Sequence, residues 1–486
     1  MGTVLGHLEP RRVWELFEAI CQVPRPSKKE DKILGFLQEF AENNQLAFRQ
    51  DKLGNIVIEK PAARGMEHLA PVVLQSHVDM VCEKNAGVTH DFDNDPIRPR
   101  IEDGWVKAEG TTLGADDGIG MAVQMAILES DGLEHGPLEC LFTVDEETGL
   151  TGAFGLEPGF VKGRILLNLD SEDDGELFIG CAGGIDTLVT FRYSQVPPEV
   201  DHDAYRIRIT GLLGGHSGDD IDKGRGNAIK VLTRLLWNAE KMFELRLAEI
   251  KGGNLRNAIA REAFATVTIP RKYKKDFLER IHHLAGQIRQ EMKTHEPGLQ
   301  VGVDEAVMPQ FLLDFDTQHR LLNALFACPH GVMRLSPDIP GLVETSTNLA
   351  SVSMTAHEVI VATSQRSSLE SGKRCIADMV ASVFHLAGAS VKHGDGYPGW
   401  TPDMDSAILA VTQKAYQDLF GEDPSVLAIH AGLECGLIGE KYPGMDMISY
   451  GPTIKGAHSP DERIRIDTVQ KFWDLTLEVL KNLPPA

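Results

Sequence analysis

Cysteine is scarce and scattered in this sequence. Only seven of the 486 residues are cysteines, and none of them forms the C-x-x-C spacing of a zinc or redox motif. An odd number without regular spacing excludes the disulfide framework that holds small secreted domains together. We therefore expect a protein of a reducing compartment, the cytoplasm, whose stability depends on its core.

Positive charge and long apolar runs are also lacking. The 48 Lys and Arg residues stand against 71 Asp and Glu, which gives a net charge of −23. Such a chain is repelled by nucleic acids and by anionic membranes, so we expect neither as a partner. No run of 18 apolar residues predicts a membrane span. The start, MGTVLGHLEPRRVWELF, has no basic region followed by an apolar run, so no signal peptide is expected.

The remaining composition, 42% hydrophobic and 24% charged, is typical of a globular protein, and the length exceeds one ordinary domain. Strand-like runs alternate with helical patterns over residues 1–185 and again over 392–486, which predicts an α/β domain with a largely parallel sheet. Residues 186–391 contain alternating, half-exposed strands such as AYRIRIT between helical stretches, which predicts an α+β domain. We therefore predict one discontinuous α/β domain with an α+β insertion.

Two local patterns near the start predict helices. Pro10 precedes the apolar spacing Val13, Leu16, Phe17 and Ile20, which indicates a first amphipathic helix. Ser27 and Glu30 have the spacing of a capping box, which predicts the beginning of a second helix.

Polar side chains that suit chemistry follow several of the apolar runs. These residues are His77, Asp79, Asp116, Glu146, Glu147, Asp170 and His458. Open α/β sheets bind ligands at the carboxyl ends of their strands, so we expect these side chains to converge. Each pattern alone has an ordinary explanation, because adjacent Glu residues are usually solvated, Asp-Asp-Gly is usually a turn and Asp170 could cap a helix.

Two histidines with four or five carboxylates fit a divalent metal such as zinc. One bridging carboxylate could hold a pair of ions about 3.5–4 Å apart. A carboxylate that stays off the metals could act as general base, and the adjacent Glu146 and Glu147 can divide these two roles. Asp79 is placed to orient an imidazole through the ring nitrogen that does not bind the metal.

Taken in order, QSHVDM, LGADDG, DEETG, NLDSE, GCAGG, GGHSG, LRNAI, HAGLECG and GPTIKGAHSPDE resemble the aminoacyl-histidine dipeptidases. These belong to the zinc metallopeptidase superfamily that includes carnosinase, aminoacylase and glutamate carboxypeptidase. The resemblance covers essentially the whole chain. It implies an α/β catalytic domain (1–185 and 392–486), an inserted α+β lid domain (186–391), a homodimer, and hydrolysis of unblocked dipeptides, including Xaa-His such as β-alanyl-histidine.

The resemblance also implies roles for single residues. One ion would be held by His77, Asp116 and Asp170, and a second by Asp116, Glu147 and His458. The ions would be zinc, with manganese or cobalt as alternatives. Asp116 would bridge them, next to a cis peptide bond with Asp117. Glu146 would be the general base for a metal-bound hydroxide, and Asp79 would support the site.

Further roles fall outside the ligand set. His216 would stabilise the oxyanion, Asn257 and Arg366 would bind the substrate carboxylate, and Glu434 would hold the free amino group. The ordinary alternatives are a loop histidine, a surface ion pair for Arg366 and a structural carboxylate for Glu434. The metal motifs do not separate a dipeptidase from a related tripeptidase, carboxypeptidase or N-acyl-amino-acid deacylase, or from a non-catalytic binding protein on this fold.

Overall fold

The computed structural model describes residues 4–486, and the chain divides into two compact units. The first unit contains the chain up to Gly180 together with Pro402–Ala428 and Leu433–Ala486, whereas the second contains Cys181–Thr401 and Ile429–Gly432. These borders differ from the predicted 185/186 and 391/392.

Backbone pairing explains where the borders lie. Cys181 and Trp400 exchange two N–H···O bonds of 2.9 Å, so the two segments pair before the predicted 185/186 border on the outgoing side and after the predicted 391/392 border on the returning side. The amide of Ala182 donates to the carbonyl oxygens of Ile429 and Ala431, both at 3.0 Å, which ties residues 429–432 to the second unit.

The first unit is built on an eight-stranded mixed sheet. In spatial order its strands are Ala47–Gln50, Ile56–Lys60, Leu138–Thr143, Val72–His77, Ile165–Asn168, Asp446–Ser449, Glu176–Cys181 and Ser425–Ile429. The four strands from Leu138–Thr143 to Asp446–Ser449 are mutually parallel. The strands that flank these four, Ile56–Lys60 and Glu176–Cys181, pair with them antiparallel, and so does Ala47–Gln50 with Ile56–Lys60. The prediction of a largely parallel sheet therefore holds only for the centre. Every residue of the strands Val72–His77, Leu138–Thr143 and Ile165–Asn168 is buried, because both faces of the sheet are covered there.

A small antiparallel sheet completes the strands of this unit, in the order Ile454–Lys455, Arg463–Arg465, Trp105–Ala108 and Pro99–Glu102. The helices are Arg11–Cys21, Asp31–Asn43, Ala115–Glu129, Glu146–Gly149, Thr151–Gly155, Ala407–Phe420, Glu434–Lys441 and Ile466–Lys481. Pro10 flanks the first helix as predicted, and Val13, Leu16, Phe17 and Ile20 are buried.

The predicted capping box is wrong. Glu30 flanks the helix Asp31–Asn43, but no side chain caps the helix there. The Ser27 hydroxyl instead donates to Asp79 Oδ2 at 2.7 Å, and Glu30 Oε1 accepts from the amides of Lys28 and Asp145. The Ser27 hydroxyl is therefore used in a tertiary contact, whereas the S-x-x-E spacing assigned it to a backbone N–H of the helix that follows.

The second unit contains a nine-stranded antiparallel sheet. Its spatial order is Gln300–Glu305, His202–Thr210, Ala263–Pro270, Arg246–Gly252, Val343–Met354, Glu358–Ser367, Gly183–Arg192 and Ser390–His393, and Gly331–Leu335 also pairs with Val343–Met354. Two short ribbons join Gln195–Val196 to Leu312–Leu313 and Gly215–His216 to Ala258–Ile259. The helices are Ala228–Phe243, Arg271–Tyr273 (a 3₁₀ turn), Lys274–Met292, Phe315–Ala327 and Glu370–Leu386.

Alternation along the strands of this unit buries one face in a single hydrophobic cluster, which includes Ile207, Leu235, Val267 and Phe384. The strand and helix content is the α+β character predicted for this part of the chain. Within residues 4–486, no helix combines the length and the apolar character that crossing a membrane requires.

Candidate active site

Three neighbouring parallel strands of the first unit carry polar residues at or just beyond their carboxyl ends. His77 is the last residue of Val72–His77, Glu146 and Glu147 follow Leu138–Thr143, and Asp170 follows Ile165–Asn168. Because parallel strands end at the same edge, these side chains meet there, as the sequence predicted. His458 arrives differently, from the turn of the small antiparallel sheet, with φ at 61°.

Asp116 lies between the two histidines. Its Oδ1 is 3.1 Å from His77 Nε2, and its Oδ2 is 3.2 Å from His458 Nε2. His77 Nε2 is also 3.4 Å from Asp170 Oδ1, and His458 Nε2 is 3.0 Å from Glu147 Oε2. The structure thus assembles two donor sets that share Asp116, each with its donor atoms within 4.8 Å of one another.

The donor chemistry fits a pair of divalent ions. Imidazole nitrogens and carboxylate oxygens are the ligands that zinc and similar metals take. Glu147 Oε1 is buried without a hydrogen-bond partner, as a carboxylate oxygen intended for a cation would be. Two other groups also meet the distance criterion, His77 with Glu146 and Glu147, and Glu30 with Asp79 and Asp145.

The backbone at Asp116 separates the roles of the two adjacent aspartates. The Asp116–Asp117 peptide bond is cis, as the resemblance implied. Asp117 is buried and its Oδ1 accepts from the amide of Gly120 inside the following helix, at 3.1 Å. Asp116 alone is therefore the one of the pair that faces the histidines.

Negative charge is in surplus at this site. Burial opposes a charge on His77, but Asp170, Asp116 and Asp79 outweigh that effect and raise the pKa of His77 well above its usual value. Burial raises the pKa of Asp170 and of Glu146 well above their usual values, and neighbouring carboxylates raise them further. Without a cation, protons must neutralise part of this cluster, and a divalent ion could take their place.

His458 shows the same effect from the other side. Hydrogen bonds to Asp116 and Glu147 raise the pKa of His458 to about 11. Burial acts against ionisation of Asp116, yet its bonds to His458 and His77 keep the pKa of Asp116 far below its usual range. Asp116 is therefore the carboxylate of the cluster that stays ionised.

Asp79 supports several segments of the site at once. Its Oδ1 accepts from the Glu146 amide at 3.0 Å and its Oδ2 from the Glu147 amide at 3.2 Å, while Oδ1 is 3.4 Å from His77 Nδ1. Burial opposes its charge, but the nearby His77 imidazole, the Ser27 hydroxyl and the Glu146 amide together outweigh it and lower the pKa of Asp79 to about 2. The strand ends at His77, so Asp79 lies two residues beyond it.

Glu434 begins the helix Glu434–Lys441 and is fully buried in the first unit. Its Oε2 accepts from Gln75 Nε2 at 2.6 Å and from the Thr143 hydroxyl at 2.7 Å, and its Oε1 has no hydrogen-bond partner. Burial raises the pKa of Glu434 to about 7. One oxygen is thus held by the strands and the other remains available to a donor.

In the second unit, His216 and Asn257 lie close together. His216 pairs with Ala258 in the short ribbon, and the Ser217 amide donates to the Asn257 carbonyl oxygen at 2.8 Å. His216 Nδ1 is 3.0 Å from Asp219 Oδ2, which leaves Nε2 on the opposite side of the ring. The Asn257 residue is exposed.

Arg366 is buried in the second unit, with 7% of its surface exposed, which contradicts the alternative of a surface ion pair. It donates through Nη1 to the Tyr397 hydroxyl at 2.9 Å, and its Nε is buried without a partner. Sequence reasoning missed Tyr397, and it missed Ser27 at Asp79 because the S-x-x-E spacing pointed to a helix cap. No local signal in the sequence distinguishes either residue.

Comparison with known proteins identifies first the class and then the family. The class is that of peptidases: residues 73–482 match Peptidase family M20/M25/M40, and the chain belongs to this family. It is 42% identical over 481 residues to the cytosol non-specific dipeptidase of Escherichia coli (strain K12), which covers 99% of each chain. The dipeptidase resemblance inferred from the motifs is confirmed.

Solved structures of peptidases resemble this chain as well. The chain superposes on the crystal structure of aminoacylhistidine dipeptidase from Vibrio alginolyticus with a TM-score of 0.93 and 45% identity, covering 99% of this chain and 98% of that one. A tripeptidase from Staphylococcus aureus has a TM-score of 0.57 at 16% identity over 98% of each chain, and this likeness concerns the fold alone.

Proposed function

We propose that this protein is a metal-dependent dipeptidase that hydrolyses unblocked dipeptides, Xaa-His such as β-alanyl-histidine among them. The observation that carries the proposal is the pair of donor sets that share Asp116, each with one histidine and one further carboxylate. The similarity to two dipeptidases over the whole chain supports the choice of substrate.

Two ions would be held at this site, one by His77, Asp116 and Asp170 and the other by Asp116, Glu147 and His458. When bound, such ions supply an activated water and polarise the scissile carbonyl. Zinc suits the mixture of imidazole and carboxylate, and manganese or cobalt would fit the same donors. His77 would use Nε2 toward the metal, because Nδ1 faces Asp79, which fixes the tautomer.

Glu146 is the proposed general base. It begins the helix Glu146–Gly149 beside Glu147, and none of its carboxylate oxygens is needed for the two donor sets. Its raised pKa suits a group that accepts a proton from the attacking water and then passes it to the leaving amine. Asp79 holds the backbone amides of both glutamates, so it sets where the base stands.

The substrate's two ends need opposite charges. The available oxygen of Glu434 suits the free ammonium group, and the guanidinium of Arg366 suits the carboxylate, with Asn257 as a further donor. His216 is proposed to stabilise the oxyanion through Nε2. We propose further that the second unit acts as a lid domain on the catalytic first unit, and that the enzyme works as a cytoplasmic homodimer.

The test compares wild type, Glu146→Gln and the control Glu139→Gln on a dipeptide panel that includes β-alanyl-histidine, with metal content measured for each. Glu139 is also a buried carboxylate of the first unit, but it accepts from the loop amides of Lys162 and Gly163. We expect Glu146→Gln to keep its metal and to lose about 10²–10⁴-fold in turnover. Glu139→Gln should keep its activity.

Other results would contradict the proposal in distinct ways. Cleavage of N-acyl amino acids or tripeptides, with dipeptides untouched, would replace dipeptidase by deacylase or tripeptidase. Metal uptake without hydrolysis of any peptide would indicate a binding protein. A wild type that takes up no metal would refute the site itself.

A further inference from the structure

A buried carboxylate outside the proposed ligand set contacts the segment that leads into Asp116. Glu462 is 3% exposed and accepts four backbone N–H groups. Its Oε2 takes those of Leu113 and Gly114 at 2.7 and 2.9 Å, and its Oε1 takes those of Ala115 and Asp116 at 2.7 and 3.4 Å. Both oxygens are therefore committed to one four-residue segment.

Glu462 lies in the same turn as the proposed ligand His458. It lies four residues after His458, and its own amide donates to the Ser459 carbonyl at 3.0 Å, so it belongs to the same turn. The Asp116 segment is separated from that turn by more than 340 residues of sequence. One carboxylate thus joins the two segments that carry Asp116 and His458.

A buried cation joins the Asp116 segment to a third segment. Arg25 is 3% exposed, and its Nη1 donates to the carbonyl oxygens of Val78 and Asp79 at 2.9 and 2.6 Å. Its Nη2 donates to the carbonyl oxygen of Gly114. The guanidinium therefore connects the chain just beyond His77 with the chain just before Asp116.

Two glycines leave the space that this guanidinium occupies. A Cβ atom at Gly114 would lie 2.6 Å from Arg25 Nη2, and one at Gly118 would lie 2.7 Å from the same atom. Gly114 also has φ at 70°, a conformation that other residues rarely adopt. The LGADDG motif therefore carries glycine on both sides of the aspartate pair where Arg25 approaches.

We propose that Glu462 and Arg25 are positioning residues that set the place of Asp116 between the two donor sets, an inference that rests on the proposed function. Three distant segments supply His77, Asp116 and His458, and these two side chains fasten the middle segment to the other two. A buried charge is costly unless it is fully hydrogen-bonded, and both charges here are satisfied by backbone groups of this one segment and its neighbours. Neither residue touches the donor atoms, so they act through Asp116.

Glu462→Gln tests the inference with little change of shape. The amide retains one acceptor oxygen, but its NH₂ group faces two backbone N–H donors. Two of the four hydrogen bonds are therefore replaced by repulsive donor–donor contacts. Zn²⁺ and Mn²⁺ are titrated into metal-free protein in competition with a chelator, and denaturation of the metal-free protein is followed in parallel. Arg25→Lys is the second variant, because an ammonium group cannot span the two segments as a fork does.

We expect both variants to bind the metal pair about 10- to 100-fold more weakly. We also expect kcat to fall by a larger factor than the factor by which KM rises. The matched control is Glu139→Gln, which removes a buried carboxylate that also accepts backbone amides of a loop. It should lower the denaturation midpoint of the metal-free protein without changing metal affinity.

The outcomes separate the two proposals. Loss of stability with wild-type metal affinity and kcat in both variants, as in the control, would overturn the positioning role and leave the proposed function intact. Failure of both variants to fold would also overturn it, because the two residues would then determine the fold. A wild type that binds no metal would refute the proposed function and this inference together.

Discussion

Asp79 offers the sharpest quantitative test of how the site is held together. The pKa of Asp79 falls from 3.8 to about 2 on folding, because the His77 imidazole, the Ser27 hydroxyl and the Glu146 amide together outweigh the effect of burial. A shift of one pKa unit corresponds to about 1.36 kcal/mol, so ionised Asp79 contributes about 2.5 kcal/mol to the free energy of unfolding. Asp79→Asn in metal-free protein should lose about that amount near pH 6.

The sign of the pH dependence follows from the lowered pKa. A carboxylate whose pKa is lowered by folding stabilises the folded state above its unfolded pKa of 3.8, and this contribution disappears as the pH falls through about 2. The difference between wild type and Asp79→Asn should therefore be constant from pH 6 to pH 5 and fall to about half at pH 3. From pH 5 to pH 3 His77 is protonated in both states, because its pKa is 6.5 in the unfolded chain and is raised on folding, so Asp79 dominates the change.

Urea denaturation at each pH, followed by tryptophan fluorescence and by circular dichroism, measures the difference. Glu139→Gln serves as a control for the loss of a buried carboxylate elsewhere in the first unit. A difference that stays the same from pH 6 to pH 3 would refute the reasoning, because the loss would then come from packing and not from the charge of Asp79. A loss well below 1 kcal/mol at pH 6 would refute the assigned hydrogen bonds.

Two further predictions concern substrate recognition and packing. Arg366→Lys should raise KM for dipeptides about tenfold or more with little change in kcat. Dipeptide amides lack the carboxylate, so steady-state kinetics with them should be the same for the variant and the wild type. Equal effects on both substrates would contradict carboxylate binding. Gly451→Ala should lower the free energy of unfolding by about 1–3 kcal/mol or more, because its Cβ would lie 1.8 Å from the Ser171 carbonyl oxygen. Gly286→Ala, with no atom within 4 Å, should leave stability equal or higher in the same urea titration, and a similar loss in both would contradict the packing argument.

Periodicity and composition were sufficient for the elements that bury continuous or alternating apolar faces. The runs at Val72–His77, Leu138–Thr143 and Ile165–Asn168 are buried strands, and His77, Glu146, Glu147 and Asp170 lie at or just beyond their ends, because the extent of a buried apolar run is encoded locally. The resemblance carried by the ordered motifs also predicted the family and the cis bond at Asp116. These features depend on neighbours along the chain.

The tertiary structure alone decided what depends on distant segments. The Ser27 hydroxyl donates to Asp79 and does not cap its own helix, because a carboxylate 52 residues away in the sequence offers it a charged acceptor. The hydrogen bonds of the Glu462 carboxylate to Leu113–Asp116, and those of the Arg25 guanidinium, join segments that lie far apart in the sequence. Local physics therefore places a residue on a strand or helix, whereas the pairing of buried charges with their partners appears only when the whole chain is folded.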